Sequence, residues 1–174
     1  FRIFLNAVDP IVFARSPLDA TPALLSVTRL AAHDHGKNID KVLRAVALLV
    51  PSRPDLHYTI VGEGVLRLGL EELAARLGIS AHVTFAGRLS DPDLAAAYSR
   101  AQIFVLPSDK EGFGIVYLEA WQYALPVICG TRDAAHEIGM LDAPGESLEA
   151  AIRWSDHRDQ SAHVEPVDQI AFMV

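Results

Sequence analysis

The chain has one cysteine, no long apolar run and fewer basic than acidic residues, and each shortage excludes a class of protein. Because Cys129 is the only cysteine, the chain cannot form an internal disulfide. Cys129 also directly follows an apolar run, which favours a small core or edge residue over a metal ligand. The 22 acidic and 15 basic residues give a net charge of -7, which disfavours non-specific binding to nucleic acid but leaves room for a local basic pocket.

The apolar runs that are present are short. None is as long as the roughly 18 apolar residues that indicate a membrane-spanning helix, and the opening residues FRIFLNAVDP lack the layout of a signal peptide. These observations favour a cytoplasmic protein and leave peripheral membrane contact open. With 174 residues, 51% of them hydrophobic and 21% charged, the chain is long enough for one globular domain that spans residues 1–174.

Short apolar runs alternate with segments of helical periodicity along most of the chain. The helical segments begin near Lys37, Leu66, Asp91, Ile115 and Glu146. This alternation predicts an α/β fold, a Rossmann-like and mostly parallel sheet with helices on both faces. The runs that predict strands are residues 2–5, 23–27, 56–61, 82–86, 103–106 and 127–128.

Residues 101–128 contain the most informative unit, a buried strand followed by a loop, a helix and a second strand. The run 103–106 is apolar without alternation, which is typical of a strand covered on both faces. Glycine residues precede the following helix, and a helix that starts after a strand directs free N–H groups at the carboxyl edge of the sheet. Such a terminus attracts phosphate.

Two glutamates flank the start of this helix. Glu119 follows Glu111 after eight residues, which is about 12 Å if the rise is helical. A nucleotide sugar has about that span and could contact both carboxylates, one with its sugar and one with its ribose. Taken alone, a pair with this spacing is more often a helix-capping carboxylate and a solvated surface residue.

The residues around the pair resemble a known signature. The sequences Glu111-Gly112-Phe113-Gly114, Leu118-Glu119-Ala120 and Leu125-Pro126-Val127-Ile128 resemble the E-x7-E motif of retaining GT-B glycosyltransferases, the glycosyl transferases group 1. The resemblance covers residues 1–152 and is to the C-terminal, donor-binding domain. It implies one half of a GT-B fold, with the N-terminal acceptor domain absent from this chain.

The resemblance also implies roles for individual residues. In the family, an arginine and a lysine after an early strand hold the donor diphosphate, and Arg29 and Lys37 match both. Two fixed cations stabilise a leaving diphosphate more in the transition state than in the ground state, whereas taken alone they are typical of a solvated loop. Glu111 would contact the transferred sugar. Glu111, Arg29 and Lys37 are therefore the candidate catalytic residues.

The remaining candidates are expected to bind the donor. The resemblance places Gly62 where backbone approaches the donor, Arg88 and Leu89 against the nucleobase, and Glu119 at the ribose. At the start of the helix after the loop, the binding candidates are Gly112, Phe113 and Gly114.

No metal and no cofactor are expected beyond the nucleoside-diphosphate-sugar donor. His33 and His35 flank Asp34 in a polar loop, which is too little for a metal site. No residue resembles a general base, which fits retaining enzymes in which the departing phosphate receives the acceptor proton.

The predicted reaction is retaining transfer of a sugar to a saccharide or lipid-linked acceptor held by the N-terminal domain. The chain alone is expected to bind nucleoside diphosphate weakly and to transfer no sugar. Two alternatives stay open: a sugar-nucleotide epimerase of the same fold, and a non-catalytic module that binds nucleotide sugars.

Overall fold

A five-stranded parallel sheet organises the part of the chain that the computed structural model describes, residues 22–109 and 114–130. Its spatial order is β3-β2-β1-β4-β5, and every neighbouring pair is parallel. The strands are β1 (Ala23–Val27), β2 (His57–Val61), β3 (Val83–Gly87), β4 (Ile103–Leu106) and β5 (Val127–Cys129).

Helices connect successive strands, as the alternating sequence pattern predicts. Since parallel strands are joined by right-handed crossovers, the reversal of direction after β3 places α1 and α2 on one face of the sheet and α3 and α4 on the other. The helices are α1 (Ile39–Leu49), α2 (Arg67–Arg76), α3 (Asp91–Arg100) and α4 (Ile115–Gln122), with 3-10 helices at Asp34–Lys37 and Ser80–His82. The predicted α/β fold is therefore confirmed.

Coverage on both faces accounts for the apolar runs. All four residues of β4 are buried, which confirms the expectation from the run without alternation. In α1 the buried residues recur at helical spacing and form the stripe that the sequence predicts. This stripe consists of Ile39, Val42, Leu43, Val46 and Leu49.

One polar group lies inside the sheet core and is fully satisfied. Ser26 of β1 is completely buried, and its hydroxyl lies 2.7 Å from the Tyr58 hydroxyl of β2. The same hydroxyl donates to the Val105 carbonyl of β4. Because an unpaired buried hydroxyl would be costly, these bonds favour the arrangement in which β1 lies between β2 and β4.

The element boundaries agree with the predicted ones to within two residues, and the segment at Lys37 differs in type as well. The sequence predicts that Lys37 opens the first helix, but Lys37 ends the 3-10 helix Asp34–Lys37 and α1 begins at Ile39. Cys129 is the last residue of β5 rather than the residue after it. The predicted strand at residues 2–5 and the predicted helix that begins at Glu146 lie outside the described residues.

His57, the first residue of β2, is expected to make the stability of the fold depend on pH. The Nε2 atom of His57 lies 2.8 Å from the Thr84 hydroxyl. Partial burial, and after it the charge of His82, lowers the pKa of His57 below its ordinary value. The His57 imidazole therefore binds a proton more readily in the unfolded chain than in the folded chain. As a result, the free energy of unfolding falls as the pH drops below about 6.5, the ordinary pKa of histidine.

We expect His57→Gln, which keeps a polar group beside Thr84 but cannot be protonated, to flatten this fall in unfolding free energy. Urea denaturation at a series of pH values between about 7 and 5 measures it. His35→Gln, made at an exposed histidine, controls for the loss of one imidazole. An unchanged pH slope in His57→Gln would contradict the assignment.

Candidate functional site

Four of the candidate residues that the structure describes closely follow the carboxyl ends of strands: Arg29 follows β1, Gly62 follows β2, and Arg88 and Leu89 follow β3. β1 and β4 are neighbours in the sheet, although the chain reaches β4 only after β2 and β3. The connections that leave these two strands therefore turn toward opposite faces. In open α/β sheets, a crevice forms at such a reversal of strand order, and ligands bind there.

Backbone and side-chain contacts join the two loops that border this crevice. The backbone N–H of Asp109, after β4, donates to the Gly36 carbonyl at 2.7 Å. The side-chain amide of Asn38 donates to the Pro107 carbonyl at 2.6 Å. Lys41 Nζ lies 3.6 Å from the Asp109 carboxylate. The loop after β1 and the loop after β4 therefore form one connected structure at the reversal point.

The two candidate cations lie in the loop after β1. The Arg29 side chain is 76% exposed, and its Nη2 atom lies 3.8 Å from Oδ1 of Asp34. Asp34 itself is buried and accepts a hydrogen bond from the Ala31 N–H. Lys37 is half-buried at the end of the adjoining 3-10 helix. The Arg29 guanidinium is thus exposed, and a buried carboxylate lies 3.8 Å from it.

Two residues that shape this loop were not among the sequence candidates. They are Asp34, which the sequence shows only as the neighbour of His33 and His35, and Asn38, which follows Lys37. Asn38 is buried and has left-handed backbone with φ 57° and ψ 30°, a conformation that asparagine adopts more readily than most residues. An Asp and an Asn around a glycine in a polar loop were the available signals for a tightly bonded turn.

Gly62 has a packing role in addition to its predicted place near the donor. It directly follows β2 with φ 139°, and a Cβ at this position would overlap the Thr28 carbonyl oxygen. The loops after β1 and β2 are bonded on either side of it, from Thr28 N to the Val61 carbonyl and from Leu30 N to the Glu63 carbonyl, each at 3.0 Å. This close approach requires glycine, whereas contact with donor stays a prediction.

Two further candidates belong to α4, Gly114 just before its start and Glu119 within it. The helix begins after Gly114, a buried residue with left-handed backbone, φ 72° and ψ 42°. Glu119 is half-buried and accepts a hydrogen bond of 2.8 Å from the Tyr98 hydroxyl of α3. Glu119 is therefore not the freely solvated surface residue that one alternative supposed.

Arg88 and Leu89 follow β3 and lie further along the same edge of the sheet. β2 separates β3 from β1, so this loop is about 10 Å from the end of β1. Arg88 is exposed, while Leu89 packs against the core just before α3. Since α3 also supplies Tyr98, the loop of Arg88 and Leu89 leads into the helix that contacts Glu119.

Glu111, Gly112 and Phe113 lie outside the described residues, so their predicted roles stay predictions. Within residues 22–109 and 114–130, no group of three or more His, Cys, Asp or Glu side chains could hold a metal ion. In the same part of the chain, every helix is too short or too polar to cross a membrane.

Comparison with known proteins gives a family match over most of the chain. The model of the family described as glycosyl transferases group 1 matches residues 11–140. A GDP-mannose-dependent monoacylated alpha-(1-6)-phosphatidylinositol monomannoside mannosyltransferase of Corynebacterium glutamicum is 36% identical over 126 residues, which are 68% of this chain and 32% of that protein. A D-inositol 3-phosphate glycosyltransferase of Streptomyces scabiei is 39% identical over 101 residues, 53% of this chain and 23% of that protein.

A solved structure with the same fold is the pneumococcal O-GlcNAc transferase GtfA in complex with UDP and GlcNAc. The two structures superimpose with a TM-score of 0.60 at 22% identity, and the match covers 80% of this chain and 30% of the GtfA chain. The chain therefore spans 32% and 23% of the lengths of the two relatives above and 30% of this neighbour.

Proposed function

We propose, from the premise that the chain belongs to the glycosyl transferases group 1 family, that it is the donor-binding domain of a retaining glycosyltransferase. The relatives named above are glycosyltransferases, and one of them is GDP-mannose-dependent. The observation that carries the proposal is the reversal of strand order between β1 and β4, where a ligand crevice is expected. At this reversal the connection that contains Arg29 and Lys37 is hydrogen-bonded to the loop after β4.

The donor diphosphate would bind across this crevice. Arg29 is exposed, with Asp34 3.8 Å from it, and Lys37 lies further along the same connection between β1 and α1. The first turn of α4, after Gly114, would present its backbone N–H groups and the positive end of the helix dipole to the donor. Together these groups would neutralise a diphosphate and would carry the charge of the leaving group without a metal ion.

The two ends of the donor would extend in opposite directions from the diphosphate. Glu119 would accept hydrogen bonds from the ribose hydroxyls, which suit a carboxylate acceptor. The nucleobase would lie near Arg88 and Leu89, the loop that leads into α3. Glu111 would contact the transferred sugar. The GtfA structure, whose fold this chain shares, was solved with UDP bound.

In the proposed reaction the bond between the anomeric carbon and the diphosphate oxygen breaks, and a bond from that carbon to the acceptor oxygen forms on the same face. The acceptor proton passes to the departing diphosphate, so no protein base is needed. The acceptor would be a saccharide or a lipid-linked molecule, bound mainly by the rest of the intact enzyme. Transfer of the sugar to a lipid-linked acceptor would bring the intact enzyme to a membrane surface.

The test is calorimetric titration of the chain with GDP, UDP and ADP, followed by two substitutions. We expect Arg29→Ala and Lys37→Ala each to weaken binding of the preferred diphosphate by about 1.5 to 3 kcal/mol, the range for hydrogen bonds to charged groups. This corresponds to roughly 10- to 150-fold in Kd. Binding of the matching nucleoside, which lacks phosphate, should change little.

Arg76→Ala is the matched control for the loss of a positive charge. Arg76 is exposed at the opposite end of α2 from the crevice and pairs only loosely with Glu72, at 3.8 Å. Equal losses of nucleoside and diphosphate binding in Arg29→Ala and Lys37→Ala would contradict the assignment to the phosphates. Release of nucleoside diphosphate by the intact enzyme without an acceptor would instead favour an epimerase.

A further inference from the structure

The hydrogen bond between Tyr98 and Glu119 links two helices at a carboxylate that the proposed function assigns to the ribose. Tyr98 belongs to α3 and is 2% exposed. Its ring stacks on that of Tyr123, with centroids 5.2 Å apart and planes within 10°, and on that of Phe104 at 6.0 Å. The aromatic contacts hold the ring in one position, so the hydroxyl has a fixed place beside α4.

The hydroxyl is the donor in this bond. Burial, and after it the charge of Glu119, raises the pKa of Tyr98 far above its ordinary value, so the phenol keeps its proton at any physiological pH. The proton is directed to Oε2 of Glu119 at 2.8 Å, and the Val116 carbonyl lies further away at 3.4 Å. A buried tyrosine hydroxyl requires such a partner.

The bond leaves most of the acceptor capacity of Glu119 available. An ionised carboxylate has about four lone-pair sites on its two oxygens, and Tyr98 uses one of them. Glu119 is only half-buried, so its other sites can be reached by a ligand. A free glutamate would lose rotamer freedom on binding a ribose, whereas a glutamate already held by a neighbour loses less.

We infer that Tyr98 is a positioning residue, whose hydroxyl holds the Glu119 carboxylate in the orientation in which it accepts hydrogen bonds from the ribose of the donor nucleotide. The inference rests on the proposed function. It differs from a purely structural role, in which the bond only joins α3 to α4, because it predicts a change in ligand discrimination as well as in stability.

The test compares a ribonucleoside diphosphate with its 2′,3′-dideoxy counterpart, using whichever of GDP, UDP and ADP binds best in the calorimetric screen. Tyr98→Phe keeps the stacked ring and removes only the hydroxyl, so the variant should fold; its melting temperature verifies this. We expect Tyr98→Phe to weaken binding of the ribonucleotide by roughly 3- to 10-fold, the scale of one hydrogen bond. Binding of the dideoxynucleotide should stay within about 2-fold of wild type.

A double-mutant cycle with Glu119→Ala separates positioning from other effects. Glu119→Ala should abolish the preference for ribose, and adding Tyr98→Phe to it should produce no further change in the Kd of either ligand. Tyr58→Phe is the matched control, because Tyr58 is also fully buried and bonds its hydroxyl to Ser26 inside the sheet, with no contact to Glu119. It should lower the melting temperature and leave the preference for ribose intact.

The outcomes distinguish this inference from the proposed function. If Glu119→Ala abolishes the preference for ribose while Tyr98→Phe leaves it intact or weakens both ligands equally, the positioning role is wrong and the proposed function stands. If wild type binds no nucleoside diphosphate, or if Glu119→Ala leaves the preference intact, the ribose assignment fails and the inference fails with it.

Discussion

We expect Gly62→Ala to lower the free energy of unfolding by roughly 3 to 4 kcal/mol, a large part of the stability of an ordinary domain. Two separate costs, each of about 1 to 3 kcal/mol, contribute. The backbone φ of 139° disfavours any side chain, and the added Cβ would overlap the Thr28 carbonyl oxygen. Thr28 cannot move away freely, because its N–H is bonded to the Val61 carbonyl at 3.0 Å. Urea denaturation followed by circular dichroism measures the change.

Gly69→Ala is the matched control. Gly69 lies inside α2, and nothing lies within 4 Å of a Cβ built there, so alanine should stabilise the helix by about 0.5 to 1 kcal/mol. Because Thr28 precedes Arg29, Gly62→Ala should also weaken diphosphate binding. A Gly62→Ala protein as stable as wild type would show that the loops after β1 and β2 do not approach as closely as described.

The second large effect is expected in catalysis by the intact enzyme. Glu111→Gln, which removes the charge and keeps the shape, should lower kcat by about 100-fold or more, the scale for losing one preorganised contact to developing charge. The affinity for the nucleotide sugar should change only a few-fold. The reason is that a sugar becoming cationic strengthens its contact with a carboxylate in the transition state more than in the ground state.

Glu119→Gln is the comparison for this prediction. If Glu119 binds the ribose, its loss should weaken nucleoside diphosphate and nucleotide sugar alike and should affect kcat less than binding. Single-turnover kinetics and calorimetry with both ligands separate the two carboxylates. Were Glu111→Gln to weaken both ligands equally and leave kcat unchanged, the assignment of the sugar end and the ribose end would be reversed or wrong.

The elements of the fold could be predicted because their signals are local. The unbroken apolar run of β4 indicated a strand buried on both faces, and the spacing of Ile39, Val42 and Val46 indicated the inner face of α1. Pro126 cannot continue a helix, and α4 ends before it, at Gln122. Side chains return to the same face every two residues in a strand and every 3.6 residues in a helix. Because these repeats follow from backbone geometry alone, they can be recognised without knowledge of the tertiary structure.

The candidate site was predictable in part for the same reason. Once strands and helices alternate, residues after the strands must gather at the carboxyl edge of a parallel sheet, and Arg29, Gly62 and Arg88 all do so. The 3-10 helix that ends at Lys37 was missed, because it depends on the buried side chain of Asp34 accepting from the Ala31 N–H. A sequence pattern does not reveal whether a polar loop residue is buried.

The local pattern of residues thus specifies the types of the elements, their order along the chain and the edge at which polar residues collect. It does not specify that β4 pairs with β1, that Gly62 packs on the Thr28 carbonyl or that Tyr98 donates to Glu119, which depend on the three-dimensional packing. Periodicity is encoded between neighbours in the chain, whereas strand pairing, close backbone approach and hydrogen bonds between helices join residues far apart in sequence and depend on the packing of the whole sheet.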